Sequence, residues 1–140
     1  MSDVYSIDVE ITAPVYDTEV TDRVEDAITN IFPGAEIESR PGELAATTHS
    51  LEHLSERLHQ QTILDTARME FFGTQRGDGF TFALRKQAAF EGYVNFAVDE
   101  PAELGNIHVS VRVEHPDVES FVDRIAPPTE DGVPVDGDPE

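Results

Sequence analysis

The sequence predicts an α+β fold, a two-layer sandwich in which a mainly antiparallel sheet carries helices packed on one face. Two kinds of periodicity and their order predict it. Several segments alternate apolar and polar residues with period two, as half-buried strands do. Others place apolar residues three and four apart, as amphipathic helices do. The order along the chain is strand, helix, two strands, a helix pair, strands and a last helix, with no internal repeat, and this interleaving suits two layers around one core.

The elements follow in turn. Tyr5, Ile7, Val9 and Ile11 alternate with Ser6, Asp8 and Glu10 and predict a strand that Pro14 ends. Asp17 or Thr18 is the expected cap of a helix whose face is Val20, Val24, Ala27, Ile28 and Ile31, stopped by Pro33-Gly34. Residues 35–39 and 43–48, separated by Pro41-Gly42, read as a hairpin. Ser50 is the expected cap of a helix carrying Leu51, Leu54 and Leu58, and a further helix over about 62–72 carries Ile63, Leu64, Ala67, Phe71 and Phe72 up to Gly73. After the turn signal Gly77-Asp78-Gly79, Phe80, Phe82 and Leu84 predict a strand, and residues 93–98 predict another. Ile107, Val109, Val111 and Val113 give the clearest alternation in the chain. A last helix, with Pro116 in its first turn and His115 or Asp117 as cap, presents Val118, Phe121, Val122 and Ile125. Residues 1–126 therefore read as one domain. The acidic, Gly- and Pro-rich residues 127–140 read as a disordered tail.

Composition sets the environment. The 140 residues carry 29 Asp and Glu against 9 Lys and Arg, a net charge of −20, and Lys86 is the single lysine. Such a charge opposes compaction at ordinary ionic strength. At molar salt the screening length falls to about 3 Å and the repulsion fades. The acidic surface then keeps the protein hydrated, which predicts a halophile. Cysteine is absent, so disulfides, thiolate catalysis and Cys-ligated zinc are excluded. No apolar run approaches the roughly 20 residues that span a bilayer. Met1-Ser2-Asp3-Val4 lacks the basic and apolar regions of a signal peptide, so the expected location is the cytoplasm.

The charge is uneven. Residues 57–95 hold five cations against four anions, a net of +1, which leaves −21 for the rest of the chain. Burial of this segment would explain its few carboxylates but not its excess of arginine. Its polar residues are therefore the candidate site: Arg57, Arg68, Arg76, Arg85, Lys86, Gln87 and Asn95.

Several strings carry a resemblance. They are Ala13-Pro14-Val15-Tyr16 through Ile31-Phe32-Pro33, Ser50-Leu51-Glu52, Ile63-Leu64-Asp65-Thr66-Ala67-Arg68, and above all Lys86-Gln87-Ala88-Ala89-Phe90 followed by Val94-Asn95-Phe96. Together they span most of residues 4–126, and the chain resembles archaeal uncharacterised protein family 0201, whose members are predicted to bind RNA. The resemblance implies a fold similar to the large-subunit ribosomal protein five or to double-stranded RNA-binding domains. Thr62 and Glu91 depart from the family's pattern, which leads one to expect a basic and a small or apolar residue there. Both changes make the candidate surface less cationic.

Each candidate has two readings. Asp65 and Arg68, three apart on a helix, can form a structural pair, or Asp65 can orient Arg68 as a fork for phosphate. Arg85 and Lys86 project to opposite faces if the strand persists, so one meets solvent or a ligand. Lys86 can contact phosphate or pair with a surface carboxylate. Gln87 and Asn95 can reach base edges and ribose hydroxyls, or satisfy loop backbone. Phe90 can stack on a base or join the core, while Phe71, Phe72, Phe80, Phe82 and Phe96 are assigned to the core.

His49 and His53, four apart, lack the zinc-protease string, and no metal or cofactor is expected. No nucleophile elbow or phosphate loop exists, so no enzyme is expected. The functional expectation is a non-catalytic module contacting structured RNA through residues 57–95. The alternative is a protein-interaction or homodimerisation module, because interfaces also favour arginine and aromatics over excess charge.

Overall fold

A computed structural model of the chain describes residues 5–97, 105–130 and 133–134. Alternation along β1 (Ser6–Pro14) buries Ile7, Val9, Ile11 and Ala13 and leaves Ser6 and Glu10 in solvent. β1 pairs antiparallel with β3 (Glu43–Thr48) on one side and with β5 (Asn106–His115) on the other. β2 (Glu36–Arg40) pairs with β3, and β4 (Gly79–Arg85) pairs with β5. The sheet order is β2-β3-β1-β5-β4, antiparallel throughout. Gly79 permits a close approach in the β4–β5 ladder: a Cβ there would lie 2.6 Å from the Val111 carbonyl oxygen.

Helices cover the buried face, giving the predicted α+β sandwich. α1 (Thr21–Ile31) contributes Val24, Ala27, Ile28 and Ile31. α2 (Glu52–Gln60) contributes Leu54 and Leu58, and α3 (Leu64–Gly73) contributes Leu64, Ala67 and Phe71. α5 (Val118–Ile125) contributes Val118, Phe121, Val122 and Ile125. Each large apolar side chain so buried stabilises the fold by about 1.5–3 kcal/mol relative to exposure. Phe71 sits at the centre of an aromatic group, 4.8 Å from the Phe80 ring and 5.0 Å from Phe82. Phe72, in contrast, is only half-buried and lies under the Arg68 guanidinium at 5.1 Å.

Helix caps and connections depart from expectation in places. Asp117 caps α5 by accepting from the Ser120 N–H at 2.7 Å, and that bond holds its carboxyl below the usual range. Neither Asp17 nor Thr18 caps α1, which starts after Val20 with no side-chain cap. Ser50 lies one residue before the end position of α2, and its hydroxyl accepts from the Glu52 N–H at 3.2 Å. Thr62, at φ +55°, occupies the left-handed region and breaks α2 from α3. His49 precedes α2 and contacts Asp8 at 3.2 Å, so it does not share a helix face with His53.

The strand expected over 93–98 is reduced to one bridge, Leu84 with Phe96, flanked by Arg85 N–H to Asn95 carbonyl and Ala97 N–H to Ala83 carbonyl, each 2.9 Å. Val98 lies outside the described residues. Gln61 explains why this segment stays in place without a ladder: its amide donates to the Val94 carbonyl and accepts from the Val94 N–H, both at 2.8 Å. The loop expected after β4 contains instead a five-residue helix, α4 (Lys86–Phe90). Within the stretch read as a tail, β6 (Thr129–Glu130) pairs with β7 (Val133–Pro134), and the Thr129 hydroxyl bonds the Asp65 carboxylate. Residues 131–132 and 135–140 lie outside the described residues.

The two sheet edges differ. The Asn95–Ala97 segment covers part of β4. On β2, Glu36, Glu38, Ser39 and Arg40 are all exposed, and only Ile37 is half-buried.

Candidate nucleic-acid interface

The seven candidate residues separate into a group of three and four scattered members. Arg85 ends β4 and Lys86 and Gln87 begin α4, so these three share one corner of the sandwich. α4 is tied to α1 there: the Asn30 amide donates to the carbonyls of Ala89 and Phe90 at 3.1 and 2.9 Å. Between α1, α4 and the β4–β5 end lies a groove of about 570 Å³. Arg23, Arg85, Gln87, Phe90 and Asn106 line it, along with Glu19 and Lys86.

Lys86 is committed. Its ammonium donates to both Glu19 carboxylate oxygens at 2.9 and 3.1 Å and to the Pro14 carbonyl at 2.5 Å, with the Tyr16 ring at 5.2 Å. The two charged side chains are only 10% and 11% exposed. The sequence reading allowed Lys86 a phosphate or a surface carboxylate; the geometry gives it a buried carboxylate. The chain's single lysine is a structural cation at the base of the groove. It also neutralises Glu19, the one carboxylate among the lining residues.

Arg85 is the opposite case. It is half-buried, and its guanidinium has no hydrogen bond or ion pair among the described residues. Arg23 stands across the groove with its guanidinium 5.2 Å from the Phe90 ring centroid. A cation–π contact holds that group in place without neutralising its charge. The lining thus carries three cations against one anion, a net of +2 on a −20 chain. α1 starts beside the same groove, with Val20, Arg23, Val24 and Ala27 in its lining. Gln87 donates to the Glu91 carboxylate at 3.1 Å and is exposed.

The remaining candidates lie elsewhere. Arg68 does not pair with Asp65. It bonds Asp123 at 2.7 Å and the Ala126 carbonyl at 2.9 Å, binding α3 to the end of α5. Arg57 donates to Gln60 at 3.3 Å, and its Nε is buried with no partner among the described residues. Arg76 is exposed on the turn before β4 and borders a second groove of about 650 Å³. There Arg112 is paired with Asp78 at 3.3 Å, and that bond raises the guanidinium's pKa. Asn95 has an exposed side chain, and its carbonyl accepts from Arg85 N–H.

Sequence reasoning missed Arg23 and Asn106. Arg23 lies outside residues 57–95 on the polar side of α1, and Asn106 reads as a residue before the clearest strand. Packing of α1 against α4 brings Arg23 to the groove, and the β4–β5 pairing sets Asn106 opposite Arg85.

Comparison with known proteins places the chain in a family. A family model described as RNA binding matches residues 8–113. The chain is 37% identical over 136 residues to a UPF0201 protein of Pyrococcus horikoshii, covering 92% of this chain and 96% of that one. The chain belongs to both, the family described as RNA binding and the UPF0201 proteins. A UPF0200/UPF0201 protein of Archaeoglobus fulgidus is 43% identical over 131 residues, and this chain spans 40% of its length. The 2.2 Å crystal structure of the UPF0201 protein from Methanococcus jannaschii matches with a TM-score of 0.85 at 38% identity, covering 92% of this chain and 99% of that one. The names of these UPF0201 relatives carry no reaction. Among the described residues no helix is long and apolar enough to cross a membrane.

Proposed function

We propose that this UPF0201 protein is a non-catalytic RNA-binding module of a salt-rich cytoplasm and that RNA enters the groove between α1 and α4. One observation carries the reading: Arg85 is half-buried at that groove, which Arg23 also lines, and its guanidinium has no carboxylate partner among the described residues. An unpartnered guanidinium offers a planar fork that matches phosphate. The family description supports RNA as the partner.

Physics narrows how it binds. At molar salt, counterion release adds little affinity, so charge alone captures nothing. Affinity has to come from fitted hydrogen bonds and shape, which a concave groove supplies and an open basic face does not. The proposal therefore replaces the whole 57–95 surface with one corner of it plus Arg23.

Filter binding in molar KCl, with an oligouridylate and an RNA hairpin as probes, tests this. Saturable binding is expected for the wild type. Arg85→Glu should weaken it by roughly tenfold or more, the value of one charge-assisted hydrogen bond, with the melting temperature unchanged. Absence of saturable binding by the wild type to either probe rejects the reading. A change in mass by light scattering for Arg85→Glu, with RNA affinity intact, would assign the groove to a protein partner instead.

A further inference from the structure

The proposed RNA site contains a group that phosphate binding leaves unused. Asn106 is only 8% exposed, its Oδ1 is shut off from water, and its amide makes no hydrogen bond among the described residues. A buried amide without partners is costly, and native folds seldom keep one. Asn106 also lines the groove. Its terminal torsion is soft, so rotation can offer a ligand either the carbonyl oxygen or the N–H₂ group.

Position decides what that ligand is. Asn106 stands directly opposite Arg85 in the β4–β5 ladder. Side chains so opposed start about 5 Å apart on one face of the sheet. A ligand whose phosphate meets Arg85 must therefore place a hydroxyl or N–H close to that phosphate to reach Asn106. In a nucleotide the ribose hydroxyls lie that close, whereas the polar edge of the base lies beyond the sugar. The groove volume of about 570 Å³ suits one such unit. Glu19 does not oppose the phosphate, because Lys86 already neutralises it. An A-form duplex presents phosphates and 2′-hydroxyls on a broad outer surface and cannot fold one ribose and its phosphate into a concave pocket.

Building on the RNA reading, we infer that the groove is a ribose-phosphate site for an unpaired RNA strand. Arg85 and Arg23 take the phosphate, and Asn106 takes a ribose hydroxyl. Asn106 is then the residue that separates RNA from DNA.

Equilibrium binding of the full chain in molar KCl to oligouridylate, to oligodeoxyuridylate of equal length and to an RNA hairpin tests the inference. The two single strands differ only at the 2′ position. The wild type should bind oligouridylate roughly tenfold tighter than the deoxy strand, the worth of one good hydrogen bond, and tighter than the hairpin. Asn106→Ala should lower RNA affinity to the DNA level and leave DNA affinity as it was. This variant removes an unpartnered amide, so its melting temperature should not fall. Equal wild-type affinity for RNA and DNA, a preference that survives Asn106→Ala, or tighter binding of the hairpin would each overturn the inference. The RNA reading itself would stand in those cases. Absence of binding to every probe would overturn both.

Discussion

Two grooves of similar size border the β4 edge, and both contain arginine. In the groove beside α1, the only lining carboxylate, Glu19, is held by buried Lys86, and Arg23 and Arg85 keep their charges available. In the groove beside the Arg76 turn, Asp78 binds Arg112 in the open, and only Arg76 remains. The difference teaches that a cation count along the sequence says little. A surface becomes able to receive an anion when the carboxylates near it already have partners. Lys86 is thus important to the first groove without lying at its mouth.

The largest effect should come from breaking that arrangement. Lys86→Met leaves the nearly buried Glu19 without a cation among the described residues, with only the Tyr16 N–H at 3.0 Å still bonded to it there. Loss of one partner of a buried pair costs about 3 kcal/mol or more, and the denaturation midpoint at fixed salt should fall accordingly. RNA affinity of the folded fraction should also fall, because the groove then contains an unneutralised carboxylate. Unchanged stability in Lys86→Met would show that the pair is not what organises the corner.

A smaller effect sharpens the contrast. Asp78→Asn frees Arg112 and brings the second groove to the net charge of the first. If charge were sufficient, this variant would gain RNA affinity. The gain expected is no more than roughly twofold, because exposed charges are screened and fit nothing. The smallest effect should belong to Arg76→Glu, which reverses the last available cation there yet should change oligouridylate affinity by less than about twofold. A loss comparable to that of Arg85→Glu would move the site to the second groove.

Much of the fold was legible because its signals are local. Period two marked β1 and β5, and helical spacing marked α1 and α5, each within a dozen residues. α4 was not legible, since five residues hold little more than one helical turn and show no period. The expected strand at 93–98 failed for a different reason. Its composition suits a strand, but Gln61 supplies the hydrogen bonds to Val94 that a neighbouring strand would have made. The site was legible only as a neighbourhood. Arg85 lay within it, but the partners of Lys86 and Arg68 are 67 and 55 residues away in sequence. No spacing rule reaches that far, so the two cations that proved structural looked no different from Arg85, which stayed available.

The β2 edge has a consequence for how the chain behaves at high salt. A bare sheet edge invites pairing with another copy, and natural proteins deter this with short strands and charge. Where salt shortens the reach of charge to a few ångströms, repulsion between two such edges at a distance is lost. Glu36 and Glu38 still have to shed their water before a neighbouring strand can dock over them. That cost is paid at contact and is felt at any ionic strength. Hydration rather than repulsion then keeps the sheet from growing beyond five strands.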